Sequence, residues 1–204
     1  MRTRAILIGM LAIAMAMFAS ATASATRTAT ISPSGAVRGT GNNLTLSNSI
    51  VSVFCDLNMD ANIVASVALN LAPGGLTRLG TVTAGGATSC DGADGVNFLN
   101  LPWDLAAELP LPTGAGEIAN LVILNAQIEV LVDLRNDVRC LYQGDLRATL
   151  VDTNSNGLGD TLTFDDARNQ IPLAGGTSIL CDLGGDGALE GNLAVTPELR
   201  VVLS

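Results

Sequence analysis

Apolar and polar positions alternate with a period of two along much of the chain. The clearest stretch is 51–63. Val51, Val53, Cys55, Leu57, Met59, Ala61 and Ile63 share one face; Ser52, Asp56, Asn58, Asp60 and Asn62 share the other, with Phe54. Successive side chains of a strand point to opposite faces, so this pattern predicts a strand with one buried face. Ile118 to Leu124 and Ile128 to Leu134 are two further apolar runs, the second alternating against Glu129 and Asp133. Leu189, Leu193, Val195, Leu199, Val201 and Leu203 keep odd parity at the C-terminal end. Pro197 has the same parity and predicts an edge strand or a bend, because proline cannot donate to a ladder. Helical period is missing from most of the chain beyond residue 25; Ala106-Ala107-Glu108 and Glu117-Ile118-Ala119-Asn120 suit a short turn of helix. Turn signals punctuate the rest, at Pro73-Gly74-Gly75, Asp94-Gly95, Leu111-Pro112-Thr113-Gly114 and Arg135-Asn136-Asp137. The predicted fold class is all-β, an antiparallel β-sandwich of many short strands, with two similar halves able to share one core.

The N-terminus breaks this pattern. Arg2 and Arg4 precede an apolar run from Ala5 to Ala19, and Ala-x-Ala sites end at Ala23 and Ala25. These are the parts of a cleaved, helical signal peptide over residues 1–25. The run falls short of the roughly twenty residues that span a bilayer. The expectation is one secreted domain, 26–204, with no integral membrane segment after cleavage and an extracellular or envelope location.

Charge narrows the partners. The chain holds 19 acidic and 10 basic residues, no His, and no Lys. Without Arg2 and Arg4, 8 basic residues remain and the net charge is −11. Such a chain repels nucleic acid and anionic membrane surfaces, so no nucleic-acid partner is expected.

Four cysteines, Cys55, Cys90, Cys140 and Cys181, fall within the expected mature chain. An even number in an exported protein predicts two disulfides. Zinc would need close Cys pairs or His, and the chain has neither. Three connectivities exist in principle. The two cysteine stretches share a grammar, however: Asp60 and Asp145 each lie five residues past a cysteine. Ala84-Gly85-Gly86 precedes Cys90-Asp91, and Ala174-Gly175-Gly176 precedes Cys181-Asp182; Asp94-Gly95 and Asp186-Gly187 follow. An internal repeat over 50–95 and 135–187 is therefore expected, and it favours the pairs Cys55–Cys90 and Cys140–Cys181.

One motif points to a ligand. Asp152, Asn154, Asn156, Gly157 and Asp160 have the Asp-x-Asn-x-Asn-Gly-x-x-Asp spacing of a calcium loop, in which alternating oxygens wrap a hard cation. Position twelve is Thr163 where such loops carry Glu. The competing reading is a polar hairpin turn, for which Asn and Gly are equally suited. Asp91, Asp94, Asp182, Asp186, Glu190 and the pair Asp165-Asp166 read as solvated acidic turns. No catalytic residues are expected. The chain has no His, which removes Ser-His and Cys-His nucleophile systems. Phe54, Phe98, Trp103, Tyr142 and Phe164 are too few for a sugar platform beside paired carboxylates. Trp103 reads as a core anchor.

Taken together, the signal segment, the four spaced cysteines, Leu101-Pro102-Trp103, and the close Gly187-Ala188-Leu189-Glu190-Gly191-Asn192-Leu193-Ala194-Val195-Thr196-Pro197-Glu198-Leu199 resemble the PraB-like family of secreted bacterial proteins, the alkane-oxidation activator proteins. The resemblance implies a small secreted β-protein connected with growth on hydrophobic substrates or with the cell surface. It carries no catalytic residues with it. The expected function is a secreted, non-catalytic, structural or surface-associated β-protein of the bacterial envelope that needs no cofactor, calcium being the one ion to consider. The alternatives are a binding module for an apolar small molecule, or a filament or matrix subunit. The last would self-associate by strand addition at an edge such as Leu193–Leu203 or Thr26–Ser32.

Overall fold

The computed structural model describes residues 27–70, 72 and 74–203. The expected signal peptide lies outside the described residues, as does Pro73 of the predicted turn. The described residues form thirteen β-strands, one short α-helix (α1, Ile179–Gly184) and one 3-10 turn (Asp166–Arg168).

The strands lie end to end along eight lines. β1 (Thr28–Ser32) leads into β2 (Gly35–Ser47), and β3 (Ser52–Ile63) into β4 (Ser66–Ala68). β5 (Leu76–Asp91) is one strand; β6 (Gly95–Leu99) leads into β7 (Trp103–Glu108). β8 (Glu117–Asp133) and β9 (Val138–Val151) form a long hairpin. β10 (Gly159–Phe164), β11 (Gln170–Ile171) and β12 (Leu173–Gly176) share the seventh line, and β13 (Gly187–Leu203) is the eighth.

Neighbouring lines pair antiparallel. β10 also pairs with β13, and β13 with β2, so the order β2–β3–β5–β7–β8–β9–β10–β13 returns to its start. The all-β class matches the expectation, but the sheet closes into an eight-stranded, up-and-down barrel. The predicted sandwich is corrected. Both architectures bury one face of every strand, so a period of two does not separate them. Strand length does: β8 and β13 have 17 residues each and β5 has 16, long enough to tilt and coil around an axis.

The long strands are masked in the sequence by their bulges. The runs Ile118–Leu124 and Ile128–Leu134 belong to the single strand β8, apart from Leu134. Its register slips between Ile123 and Ala126, with Asn125 at φ 52°. A bulge adds a residue and flips the inward parity, which makes one strand read as two. The helical turns expected at 106–108 and 117–120 are strand instead, in β7 and β8. In β3, Val53, Cys55, Leu57, Met59 and Ile63 are buried and Asn58 and Asn62 exposed, as the alternation predicts.

The barrel fills with apolar side chains, and Trp103 is buried with its indole N–H donating to Leu99 O at 2.8 Å. The walls face water with Arg38, Thr40, Asn58, Asn62 and Arg78. That is the reverse of a barrel made to face lipid, which turns its apolar side outward. The disulfides join Cys55 to Cys90 and Cys140 to Cys181.

Closure also settles the edges. β13 has β10 and β11 on one side and β1 and β2 on the other, and β1 lies between β13 and β4. Neither segment is the free edge expected for strand addition, since a closed barrel pairs its own first and last strands. Pro197, expected inward on an edge, is exposed and follows a cis bond.

Each half of the barrel repeats one device. Asn43 in β2 and Asn125 in β8 both have positive φ, and their N–H groups donate to Asp56 Oδ1 (3.4 Å) and Asp145 Oδ1 (3.0 Å) on the next strand. Asp145 therefore corresponds to Asp56, not to the Asp60 that cysteine spacing suggests.

Candidate functional site

The turns divide between two ends of the barrel. One end holds the chain segments 48–51, 92–94, 134–137 and 177–186; both disulfides lie nearest to it. The other holds 65–70, 72, 74–75, 109–116 and 152–158.

The predicted calcium loop sits at the second end, between β9 and β10. Gly157 at φ 83° and Ser155 at φ 62° let it fold back sharply. The chain brings Asp152, Asn154, Asn156 and Asp160 into one hydrogen-bonded loop. Asp152 Oδ1 accepts from Asn156 N at 3.2 Å and its Oδ2 from Gly157 N at 2.7 Å. Asp160 accepts from Thr153 N and Oγ1, from Asn154 N and from Thr161 Oγ1. Glu198, on β13, was not expected here: its Oε1 and Oε2 accept from Asn154 Nδ2 (3.0 Å) and Asn156 Nδ2 (2.7 Å). Every carboxylate oxygen of Asp152 and Asp160 thus accepts an N–H or O–H donor, which is what a hairpin turn requires. Among the described residues, no group of three or more His, Cys, Asp or Glu side chains is arranged to hold a metal ion.

Partial desolvation pushes the Asp160 carboxyl upward, but the hydrogen bonds from Thr161, Thr153 and Asn154 together outweigh it and hold it below the usual carboxylate range. Asp60, beside Arg38, and Asp133, beside Asn136, are held low as well. A carboxyl whose pKa is depressed by folding stabilises above its unfolded pKa of about 3.9 and loses that contribution as pH falls through the folded value. Urea midpoints should therefore be level down to about pH 4 and fall steeply below it. Asp160→Asn should flatten that acid limb, and an unchanged limb would refute the role given to Asp160.

Three of the other acidic residues serve turns. Asp94 Oδ2 accepts from Leu134 N at 2.7 Å and ties two turns of the first end together. Asp186 Oδ1 accepts from Leu173 N at 3.0 Å, and Asp165 caps the 3-10 turn.

The first end carries a feature that the periodicity did not predict. Ser178 caps α1 by accepting from Leu180 N, and Gly185 at φ 67° ends it. The helix buries Cys181 and Gly184, turning Ile179 (70%), Leu180 (48%) and Leu183 (61%) to solvent. Ser49 Oγ donates to Leu183 O and Gly184 O, which sets the exposed Ile50 beside the helix. Asn48 fixes that turn by donating to the Tyr142 hydroxyl at 2.8 Å while its Oδ1 accepts from Ile50 N and Val51 N. Exposed Leu134 occupies a neighbouring turn at the same end. Ser followed by six residues and Gly is a helix signature, but one too short to weigh against a strand period.

The family model for alkane oxidation protein activator PraA/PraB-like proteins matches residues 1–203. The chain belongs to this family. Among curated proteins and among solved structures, the comparisons find no match.

This PraA/PraB-like barrel has little room inside. Cavities of about 50, 30 and 20 Å³ lie among its inward side chains. The first is bounded by residues such as Met59, Leu121, Phe164 and Val195, the others by Leu, Ile and Val neighbours. Eight strands leave an interior that side chains can fill, and that is the state here. An apolar cavity of about 150 Å³ is the size that takes up benzene. Beside the Tyr142 hydroxyl and the Trp103 indole, the buried polar side chains among the described residues are Thr77, Thr149 and Asn169.

Proposed function

We propose that the chain is an extracytoplasmic, non-catalytic protein that supports alkane oxidation through its outer surface. The observation that carries this reading is the filled barrel. An interior with about 50 Å³ in its central cavity leaves little room for an alkyl chain, and the polar side chains buried among the described residues are hydroxyls, one amide and one indole. What remains to act is the outside of the barrel. Two disulfides support an oxidising compartment, because reducing cytoplasm does not keep such bonds. The family's description names an activator of alkane oxidation, which fits a supporting rather than a catalytic part. The reading needs no cofactor.

Fractionation of a native culture grown on an alkane tests it. The protein should be found in the medium or on the envelope, fully oxidised on a non-reducing gel. Recovery from the cytoplasm with free thiols would overturn the reading.

A further inference from the structure

The structure assigns an anion site to the outer wall of the barrel: we infer that Arg147 and Arg168 together bind the carboxylate group of a small organic acid. Arg147 stands on β9, and Arg168 ends the 3-10 turn that follows β10. Their guanidiniums converge on one atom, Glu108 Oε2 at the end of β7, with Arg147 Nε at 3.5 Å and Arg168 Nη2 at 4.0 Å. Both distances exceed those of a normal N–H···O bond. Arg38, Arg78 and Arg139 each approach an aspartate to 2.6 Å instead. Arg168 Nη1 reaches Thr149 Oγ1 at 3.4 Å, and among the described residues the Arg147 guanidinium has no nearer partner than Glu108. Two partly exposed forks of donors thus meet with most of their N–H groups open to a ligand.

The fold holds the two arginines together. Asn169, next in the chain to Arg168, is fully buried, and its side chain bonds both Arg147 N and Arg147 O. Thr149, two residues beyond Arg147 on the same face of β9, is buried too. Its hydroxyl accepts from Arg168 and donates to Asn120 Oδ1 at 3.4 Å. Asn120 lies across from both Glu108 and Thr149 in the sheet. Two of the few buried polar side chains therefore place one pair of like charges side by side. Such charges repel one another unless an anion lies between them.

Charge and shape select the ligand. Two guanidiniums against the one carboxylate of Glu108 leave a single positive charge. A monoanion cancels it, whereas a dianion adds negative charge to a chain that already carries −9. The same net charge repels nucleic acid and other polyanions, which leaves a small acid. A carboxylate matches a guanidinium fork with two parallel N–H···O bonds. Glu108 does not supply them, because both of its contacts fall on one oxygen. The inference goes beyond the proposed function and does not depend on the compartment.

The test is titration of ¹⁵N-labelled, disulfide-bonded protein with sodium acetate at fixed neutral pH and constant ionic strength, followed at the arginine Nε–H signals. Those of Arg147 and Arg168 should shift and saturate. Arg200 is exposed and has no ion pair among the described residues, and its signal should not follow them. Arg168→Gln should weaken acetate binding read at Arg147 by about tenfold, through loss of one charge-assisted fork. Glu108→Gln removes the internal competitor and should tighten acetate binding severalfold. Shifts at Arg147 and Arg168 that never saturate, or that Arg200 matches, would overturn the assignment. So would unchanged binding in Arg168→Gln, weaker binding in Glu108→Gln, or saturation by sulfate at a lower concentration than by acetate. Should a variant fail to fold, the parent titration with its Arg200 comparison still decides.

Discussion

Replacing Cys140 and Cys181 together by alanine is expected to destabilise the barrel by about 3–4 kcal/mol, the entropy that closing a loop of 41 residues removes from the unfolded chain. The bond closes the part of the barrel that backbone pairing serves least. β9 is paired along its other edge to β8 for nearly its whole length, whereas β12 meets it at only three registered positions, Leu173, Gly175 and Gly176. Beyond Gly176 the chain leaves the sheet for α1, and Cys181 is the helix's buried side chain on that side. Removing the bond therefore adds local fraying to the global loss. A chain of this size should lose about 6–15 °C in melting temperature. Amide exchange should rise most over 177–186. Cys55 and Cys90 bridge strands already hydrogen-bonded to each other over residues 54–63 and 80–91. Removing that pair should lower stability with exchange spread over β3 and β5 and leave α1 protected. The reverse ranking of local exchange would refute the account.

The difference between the two disulfides shows where sequence reading holds and where it stops. The alternation in β3 survives into the structure because a strand's inward face is a local property of its residues. Cysteine pairing was legible for a similar reason, since each pair closes a stretch with repeated wording. Closure of the barrel was not legible, because it depends on β13 meeting both β10 and β2, contacts between segments far apart in the chain. Bulges such as that at Asn125 hide the length of the strands that make closure work. The family resemblance read from Leu101-Pro102-Trp103 and the C-terminal Gly-Leu-Pro pattern agrees with the match over residues 1–203. The calcium spacing gathered its four residues into one loop, where the carboxylates of Asp152 and Asp160 accept from backbone amides and from the Thr153 and Thr161 hydroxyls. Glu198 and the outward apolar helix were missed: one comes from a distant strand, and the other is a six-residue helix inside a strand-rich chain.

Asn169→Ala is expected to destabilise the fold by about 4 kcal/mol, the largest effect of any single polar side chain here. Asn169 is fully buried, at the point where the seventh line leaves the sheet between β10 and β11. No strand pairs with β9 opposite Arg147 on that edge, and the asparagine side chain takes the place of one. Its Oδ1 accepts from Arg147 N at 2.5 Å, and its Nδ2 donates to Arg147 O at 2.7 Å and Asp165 O at 2.8 Å. Its own carbonyl accepts from Leu189 N of β13 at 3.2 Å. One residue thus joins β9, the 3-10 turn and β13 across a gap in the barrel wall. Alanine would leave the Arg147 N–H and C=O without partners, at about 1–3 kcal/mol for each such group, while Asp165 O keeps its bond from Arg168 N. Aspartate fills the same volume but has no N–H₂, and sets a negative charge against two carbonyl oxygens, so Asn169→Asp should be no milder. Asn154→Ala, in an exposed loop, removes hydrogen bonds that water can replace, and a loss under about 1 kcal/mol is expected. Urea denaturation of the three variants measures the ranking. Amide exchange at Arg147 supplies the local readout, because its N–H has the asparagine oxygen as its partner. Wild-type protection at Arg147 in the Asn169→Ala protein would show that another group closes the gap.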